Sequence, residues 1–201
     1  MLRTAALRDP KETASHVRRM GSMAAEIFHS WAAARGMDPE KLLAAKGRLR
    51  LAAMLHDVGK VGIPDAVLQK PGRLDEDERF IMQTHAALGA GLFAGSANDI
   101  DVLARDIALH HHAKWNGEGY TGCPDIPSPA GTDIPLGARI TAIADVYDAM
   151  VSKRCYKEAW DASKALEILQ KDAGIHFDPE LVAHFLGIQD VVKAIFERYG
   201  E

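Results

Sequence analysis

An apolar repeat of helical period runs along almost all of the 201 residues, and no stretch shows the alternation of a half-buried strand. That pattern predicts an all-α helical bundle. Residues 11–35 read as one helix closed by Gly36. Asp38 and Pro39 open a second, with Asp as the cap and Pro in the first turn, running to about Asp57. The stretch from Val61 to Leu74 holds Pro64, Pro71 and Gly72 and reads as a loop with one helical turn. The acids Asp75, Glu76, Asp77 and Glu78 suit the first turn of a helix reaching about Phe93. Further helices are expected at 100–112, 136–153, 161–173, and from Pro179 to the C-terminus with a break at Gly187, about seven or eight in all. Residues 113–135 hold Gly117, Gly119, Gly122, Gly131 and four prolines, so regular structure is not expected there. An irregular segment of this length after a cluster of histidines is often functional in a compact domain. No internal repeat or low-complexity linker divides the chain, and 1–201 reads as a single domain.

Composition narrows the function classes. Hydrophobic residues make up 47% and charged residues 26%, as in a soluble protein with a substantial core. The formal net charge of −4 argues against binding long nucleic acid. A small anion is still an acceptable ligand, because bound divalent ions dominate a local field. Cys123 and Cys155 are the only cysteines, which makes neither a disulfide framework nor a CxxC zinc site. There is no signal-peptide run at the start and no apolar stretch approaching the roughly 20 residues of a membrane span. The chain is therefore expected in the cytoplasm, alone or as part of something larger.

The chemistry concentrates at His56-Asp57-Val58-Gly59-Lys60. An adjacent imidazole and carboxylate offer one ligand that can bridge two cations and one that binds a single cation. Gly59 lets the chain turn, and Lys60 sets an ammonium beside an anion held there. Other candidates are dispersed. Glu12 and His16, four apart, share a helix face, a spacing that is also ordinary surface decoration. His85 lies mid-helix, where a lone histidine is more often a satisfied core residue. His110, His111 and His112 end an apolar helix, where three poor helix formers suggest metal ligation. Asp145 sits among small and apolar neighbours, and a buried carboxylate needs a cation or several hydrogen bonds. Asp148, one turn on, reads equally as a supporting partner or as a surface acid. Imidazole and carboxylate without thiolate suit iron, manganese or zinc. A divalent pair held this way is suited to in-line hydrolysis at phosphorus.

Taken in order, HDVGK at 56–60, His85, HHAKWNGEGYTG at 111–122, the Asp145 helix with SKRCYK at 152–157, and FDPELV at 177–182 resemble the HD-GYP branch of the HD superfamily. The resemblance covers nearly the whole chain, and it implies an all-helical HD-domain bundle with the activity of a metal-dependent phosphodiesterase. Members of that branch linearise cyclic di-GMP to pGpG, some cut onward to GMP, and some prefer hybrid cyclic GMP-AMP. It implies two or three divalent ions, iron first and manganese as the alternative. Their ligands would be His56, Asp57, His85, His111, His112 and Asp145, with Glu12 and His16 serving a third ion. Asp57 would bridge, and Lys60 would contact the scissile phosphate. Tyr120, Arg154 and Lys157 would hold the substrate. The family's GYP surface also implies diguanylate-cyclase (GGDEF) domains as partners.

The family's HHExxDGxGYP departs here at three positions, which hold Ala113, Asn116 and Thr121. The segment after Tyr120 also carries an added Pro-rich piece near 123–132. None of these is a proposed ligand. The changes bear on loop shape, rate and substrate preference, and they motivate two alternatives. One is a cyclic-dinucleotide-binding or interaction module with weak turnover. The other is a hydrolase of hybrid cyclic GMP-AMP or another phosphoester. The final helix, with Val191, Val192, Ile195 and Phe196, reads as core, with a dimer face as the alternative.

Overall fold

A computed structural model describes residue 9, residues 13–152 and residues 160–200. The described residues form helices α1 (Ala14–Ala34), α2 (Pro39–Ala53), α3 (Asp65–Leu68), α4 (Glu76–Gln83), α5 (His85–Gly91), α6 (Asp99–His110), α7 (Leu136–Val151), α8 (Ala162–Lys171), α9 (Pro179–Leu186) and α10 (Gln189–Arg198). Among these residues there is no strand, only an isolated bridge between Ala173 and Phe177. The all-α expectation holds, and the irregular segment lies where the glycines and prolines predicted it, broken only by a short 3-10 turn at Gly131–Asp133.

Several helix starts are written in single side chains. The Thr13 hydroxyl accepts from the His16 amide, and the Asp38 carboxylate accepts from the Lys41 amide ahead of Pro39. Asp75 and Glu78 form a reciprocal capping box. The Asp178 carboxylate caps α9 and also takes the Arg139 guanidinium at 2.6 Å.

Two expected helices end differently. The second stops at Ala53, not at Asp57. Beyond it the amides of Leu55, His56 and Val58 bond back three residues, and the chain passes into a 3-10 turn at Val58–Gly62. The helix expected over 75–93 divides at Thr84. There the Thr84 hydroxyl donates to the Ile81 carbonyl at 2.6 Å, and the His85 ring bonds the Met82 carbonyl at 2.7 Å. Side-chain donors thus take carbonyls that a continuous helix would use itself. Because of this break and the short α3, more helices are seen than the seven or eight expected.

The core is built where α1, α2 and α7 meet. Met20, Met23 and Ile27 of α1 pack with Ala52 and Ala53 of α2 and with Ile140 and Ile143 of α7. Leu169, Leu181 and Phe185 close the far side, and the Tyr147 ring meets Phe185 edge to face at 4.9 Å between centroids. On α10, Val192 and Ile195 are buried while Val191 is exposed, so its apolar stripe is mainly core. No helix among the described residues is long and apolar enough to cross a membrane. Phe185 is fully buried. Phe185→Ala is expected to cost about 3–5 kcal/mol of stability through lost transfer energy and a cavity, read by urea unfolding. A change below about 1 kcal/mol would show that this corner of the core is not tightly packed.

Candidate metal centre

The ends of helices, rather than their middles, deliver most of the polar groups. His56 and Asp57 follow α2, His85 opens α5, and His111 and His112 follow α6. Asp145 alone comes from the middle of a long helix, α7, and it faces His16 from the first turn of α1. Gly59 lets these segments meet. A Cβ there would overlap the carbonyl oxygen of His85 and the backbone of Gly89, so the turn after Asp57 can lie directly on α5.

Seven side chains then converge in two groups, each with its ligand atoms within 4.8 Å of one another. The first is Asp57, His85, His111 and His112; the second is His16, His56 and Asp145. Asp57 touches both. Its Oδ1 lies 3.0 Å from His85 Nε2 and 3.6 Å from His111 Nε2, while its Oδ2 lies 3.3 Å from His56 Nε2. In the second group, Asp145 Oδ1 lies 3.7 Å from His16 Nε2 and 3.9 Å from His56 Nε2. His110 belongs to neither group, as expected for an extra histidine.

The ring nitrogens that face away from the centre are already engaged. His56 Nδ1 bonds the Ala53 carbonyl at 3.0 Å, and His85 Nδ1 that of Met82. His111 Nδ1 is shared between the carbonyls of Ile107 and Ala108. His16 Nδ1 bonds Asp148 Oδ2 at 2.7 Å. An Nδ1 proton donated outward fixes the tautomer and leaves an Nε2 lone pair pointing inward. The His85 and His111 Nε2 atoms, so oriented, face each other at 3.5 Å. Two lone pairs at that distance repel unless a cation lies between them, so the donor set fits a bound divalent ion on this geometry alone.

Protonation states agree. Burial opposes charge on Asp57, but Lys60 and His56 outweigh it and hold the carboxyl well below the usual range. Burial also lowers His111 and His112, with neighbouring imidazoles reinforcing the effect at His112. An ionised carboxylate beside imidazoles that resist protonation, as His111 and His112 do, is the state that binds a metal.

Asp148, left open between two roles by the sequence, is completely buried and supports His16. Arg19 holds it, with Nε at 2.6 Å from Oδ1 and Nη2 at 3.1 Å from Oδ2, and the Ser152 hydroxyl joins at 3.2 Å. Burial disfavours its charge, while His16 and Arg19 restore it and depress its pKa. Sequence reasoning missed Arg19, since an arginine on a helix reads as surface. Asp9, also missed, is buried with Oδ2 at 3.0 Å from Lys60 Nζ. The Lys60 ammonium therefore bridges Asp9 and Asp57, whose Oδ2 is 2.7 Å away.

These groups line a cavity of about 270 Å³ whose other walls include Leu68, Leu74 and Met82. Tyr120 enters it stacked on His112, with ring centroids 4.6 Å apart. Burial raises the Tyr120 pKa, so its phenol stays neutral. Glu12, Arg154 and Lys157 lie outside the described residues.

The three departures from the family motif each have a local structure. Ala113 is buried against Ile134 and Ala138, which draws the start of the irregular segment onto α7. Asn116 accepts from the Glu118 amide at 3.1 Å. Its own amide bonds the Ile175 carbonyl at 3.0 Å. Thr121 is buried and its hydroxyl reaches the Ile126 carbonyl at 2.6 Å.

A family model described as HD domain matches residues 5–181. A 3'3'-cGAMP-specific phosphodiesterase 2 from Vibrio cholerae serotype O1 is 39% identical over 185 residues, covering 92% of this chain and 33% of that protein. The cyclic di-GMP phosphodiesterase response regulator RpfG from Xanthomonas campestris pv. campestris is 48% identical over 134 residues, covering 67% of this chain and 34% of that protein. The chain spans about a third of the length of these relatives. Among solved structures, a cyclic GMP-AMP-specific phosphodiesterase of V. cholerae, V-cGAP3, superposes with a TM-score of 0.62 at 17% identity, covering 97% of this chain and 51% of that one. An HDG"Y"P protein from Bdellovibrio bacteriovorus superposes with a TM-score of 0.59 at 20% identity, covering 87% of this chain and 52% of that one. At such identities the two structures establish a shared fold.

The Asp148–His16 bond generates a prediction. Asp148→Asn keeps the shape but removes the charge that orients and polarises His16. Affinity for a divalent ion is expected to fall about 10–100-fold, read by competition with a chromophoric chelator on protein whose helicity is checked by circular dichroism. Unaltered affinity in folded protein would remove Asp148 from the metal centre.

Proposed function

This chain belongs to the HD domain family, and we propose that it is a metal-dependent phosphodiesterase that opens cyclic di-GMP to pGpG, with GMP as a further product. The observation that carries this reading is Asp57 lying between two groups of inward-facing nitrogens, in one cavity with Lys60 and Tyr120. The relatives bearing phosphodiesterase names support it.

His85, His111 and His112 with Asp57 Oδ1 would hold one ion, and His16, His56 and Asp145 with Asp57 Oδ2 a second. Iron is our assignment and manganese the alternative, as the family resemblance implies; imidazole and carboxylate without thiolate suit either. The resemblance pairs His16 with Glu12 at a third ion; the grouping of His16 with His56 and Asp145 favours the second ion instead, and Glu12 is proposed as a ligand to a third. When bound, divalent ions supply Lewis-acid charge and an activated water for in-line attack at phosphorus.

The chain's own residues do the rest. Lys60 stands over Asp57 and is placed to meet a phosphoryl oxygen or the departing oxygen as its charge grows. Asp9 fixes that ammonium from the other side. Tyr120 presents a neutral hydroxyl and a ring held by His112, which suits positioning of a nucleotide. Arg154 and Lys157 are proposed to bind the phosphates, Arg as a planar fork and Lys as a mobile charge. The irregular segment after His112 is our candidate contact for a GGDEF-domain partner.

A second reading is hydrolysis of hybrid cyclic GMP-AMP. It is favoured by the name of the V. cholerae relative matched over 92% of this chain and by the altered positions 113, 116 and 121.

Anaerobic turnover by protein reconstituted separately with Fe(II) and Mn(II), with products resolved by chromatography, tests both readings. Formation of pGpG or GMP is expected, and Asp57→Ala is expected to abolish it. Steady hydrolysis by Asp57→Ala would contradict the mechanism. Poor cleavage of cyclic di-GMP beside good cleavage of cyclic GMP-AMP would select the second reading.

A further inference from the structure

We propose that a second cavity on the far side of Tyr120 is a subsite for one purine base of the substrate, and that Gln83 reads the edge of that base. The inference rests on the cyclic-dinucleotide reading above. The metal-side cavity, at 270 Å³, is smaller than the about 300–1,000 Å³ of ordinary ligand clefts, and a molecule with two purines needs more room. The second cavity adds about 240 Å³ and shares Tyr120 as its wall with the first. A phosphate held beside Asp57 therefore leaves one base facing across Tyr120.

The walls suit a flat heterocycle. Phe80, a half-exposed ring, lines the cavity together with the apolar surfaces of Pro124 and Ile126. Aromatic faces stack on bases whatever their identity. Gln83 is half-buried in the same wall, and its amide is not taken up by any other described residue. A carboxamide offers one donor and one acceptor side by side. Those match the N6 amine and N7 of adenine, or the O6 and N1–H of guanine. A wall of this make-up accepts purines and ranks them by hydrogen bonding.

The cavity is also held open by the chain. The Thr121 hydroxyl donates to the Ile126 carbonyl at 2.6 Å, with Cys123 O at 3.2 Å, which closes the turn that forms one wall. Gly122 adopts a φ of +72°, and a Cβ there would overlap the Gln83 carbonyl. The turn thus lies directly on the backbone of the residue that reads the base. Thr121, standing where the family motif has proline, acts as a positioning residue through this contact.

The test compares kcat and KM of the metal-loaded chain for cyclic di-GMP, 3'3'-cyclic GMP-AMP and cyclic di-AMP. Gln83→Leu is expected to compress the wild-type preference between the best and worst of these by about tenfold. Thr121→Val is expected to raise KM more than it lowers kcat, with Thr121→Ser restoring the wild-type value. Active wild-type protein with the same preference in Gln83→Leu would overturn the subsite and leave the phosphodiesterase reading intact. Wild-type protein that cleaves bis(p-nitrophenyl) phosphate but none of the three dinucleotides would overturn the substrate reading and the subsite with it.

Discussion

The position of the Asp57 carboxylate governs the rest of the structure. Its two oxygens face different sets of imidazoles, Oδ1 toward His85 and His111 and Oδ2 toward His56. A buried carboxylate carries a large desolvation cost and needs compensating charge. Lys60 supplies part of it, and the arrangement of lone pairs around Asp57 calls for more. The Nδ1 bonds to Ala53, Met82, Ile107 and Ala108 all point the same way, because each commits a ring proton outward and leaves the inner nitrogen to bind. The candidate centre is therefore pre-organised by backbone carbonyls near helix ends, which take the ring protons even where, as at Ala53 and Ile107, they already accept an amide.

The bundle sets the distances. α1, α2 and α7 share a dry core, and from that core His16, the segment after α2, and Asp145 approach one point. On the other side, the close approach of the Gly59 turn to α5, which a side chain at that position would block, brings Asp57 to His85. Departures from regular helix recur where the candidate ligands sit. The tightened turns after Ala53 place His56 and Asp57, and the break at Thr84 frees the carbonyl that orients His85. Local irregularity here has a consequence for the chemistry rather than for stability alone.

The adjacent His56 and Asp57, the turn at Gly59, and the partly buried setting of Asp145 could be read from the sequence because each is local. So could the caps at Asp38 and Asp75 and the irregular segment after His112. The Asp148–Arg19 clamp could not, since its members are 129 positions apart, Arg19 reads alone as a helix-surface charge, and nothing local decides between the two roles of Asp148. The division at Thr84 escaped because the apolar period continues across it, and only side-chain hydrogen bonds mark the break. The roles proposed for Glu12, Arg154 and Lys157 rest on the resemblance alone. Thr121 looked like a loss of the family's proline, whereas its hydroxyl closes a turn of its own.

We propose that Asp57 joins two metal ions into one centre. Electron paramagnetic resonance of Mn(II)-reconstituted protein tests it directly, because ions bridged by a carboxylate are magnetically coupled. A coupled, multiline dinuclear spectrum is expected in the wild-type chain, replaced by an isolated-ion signal in Asp57→Asn. An isolated six-line Mn(II) signal from the fully loaded wild-type chain would contradict it.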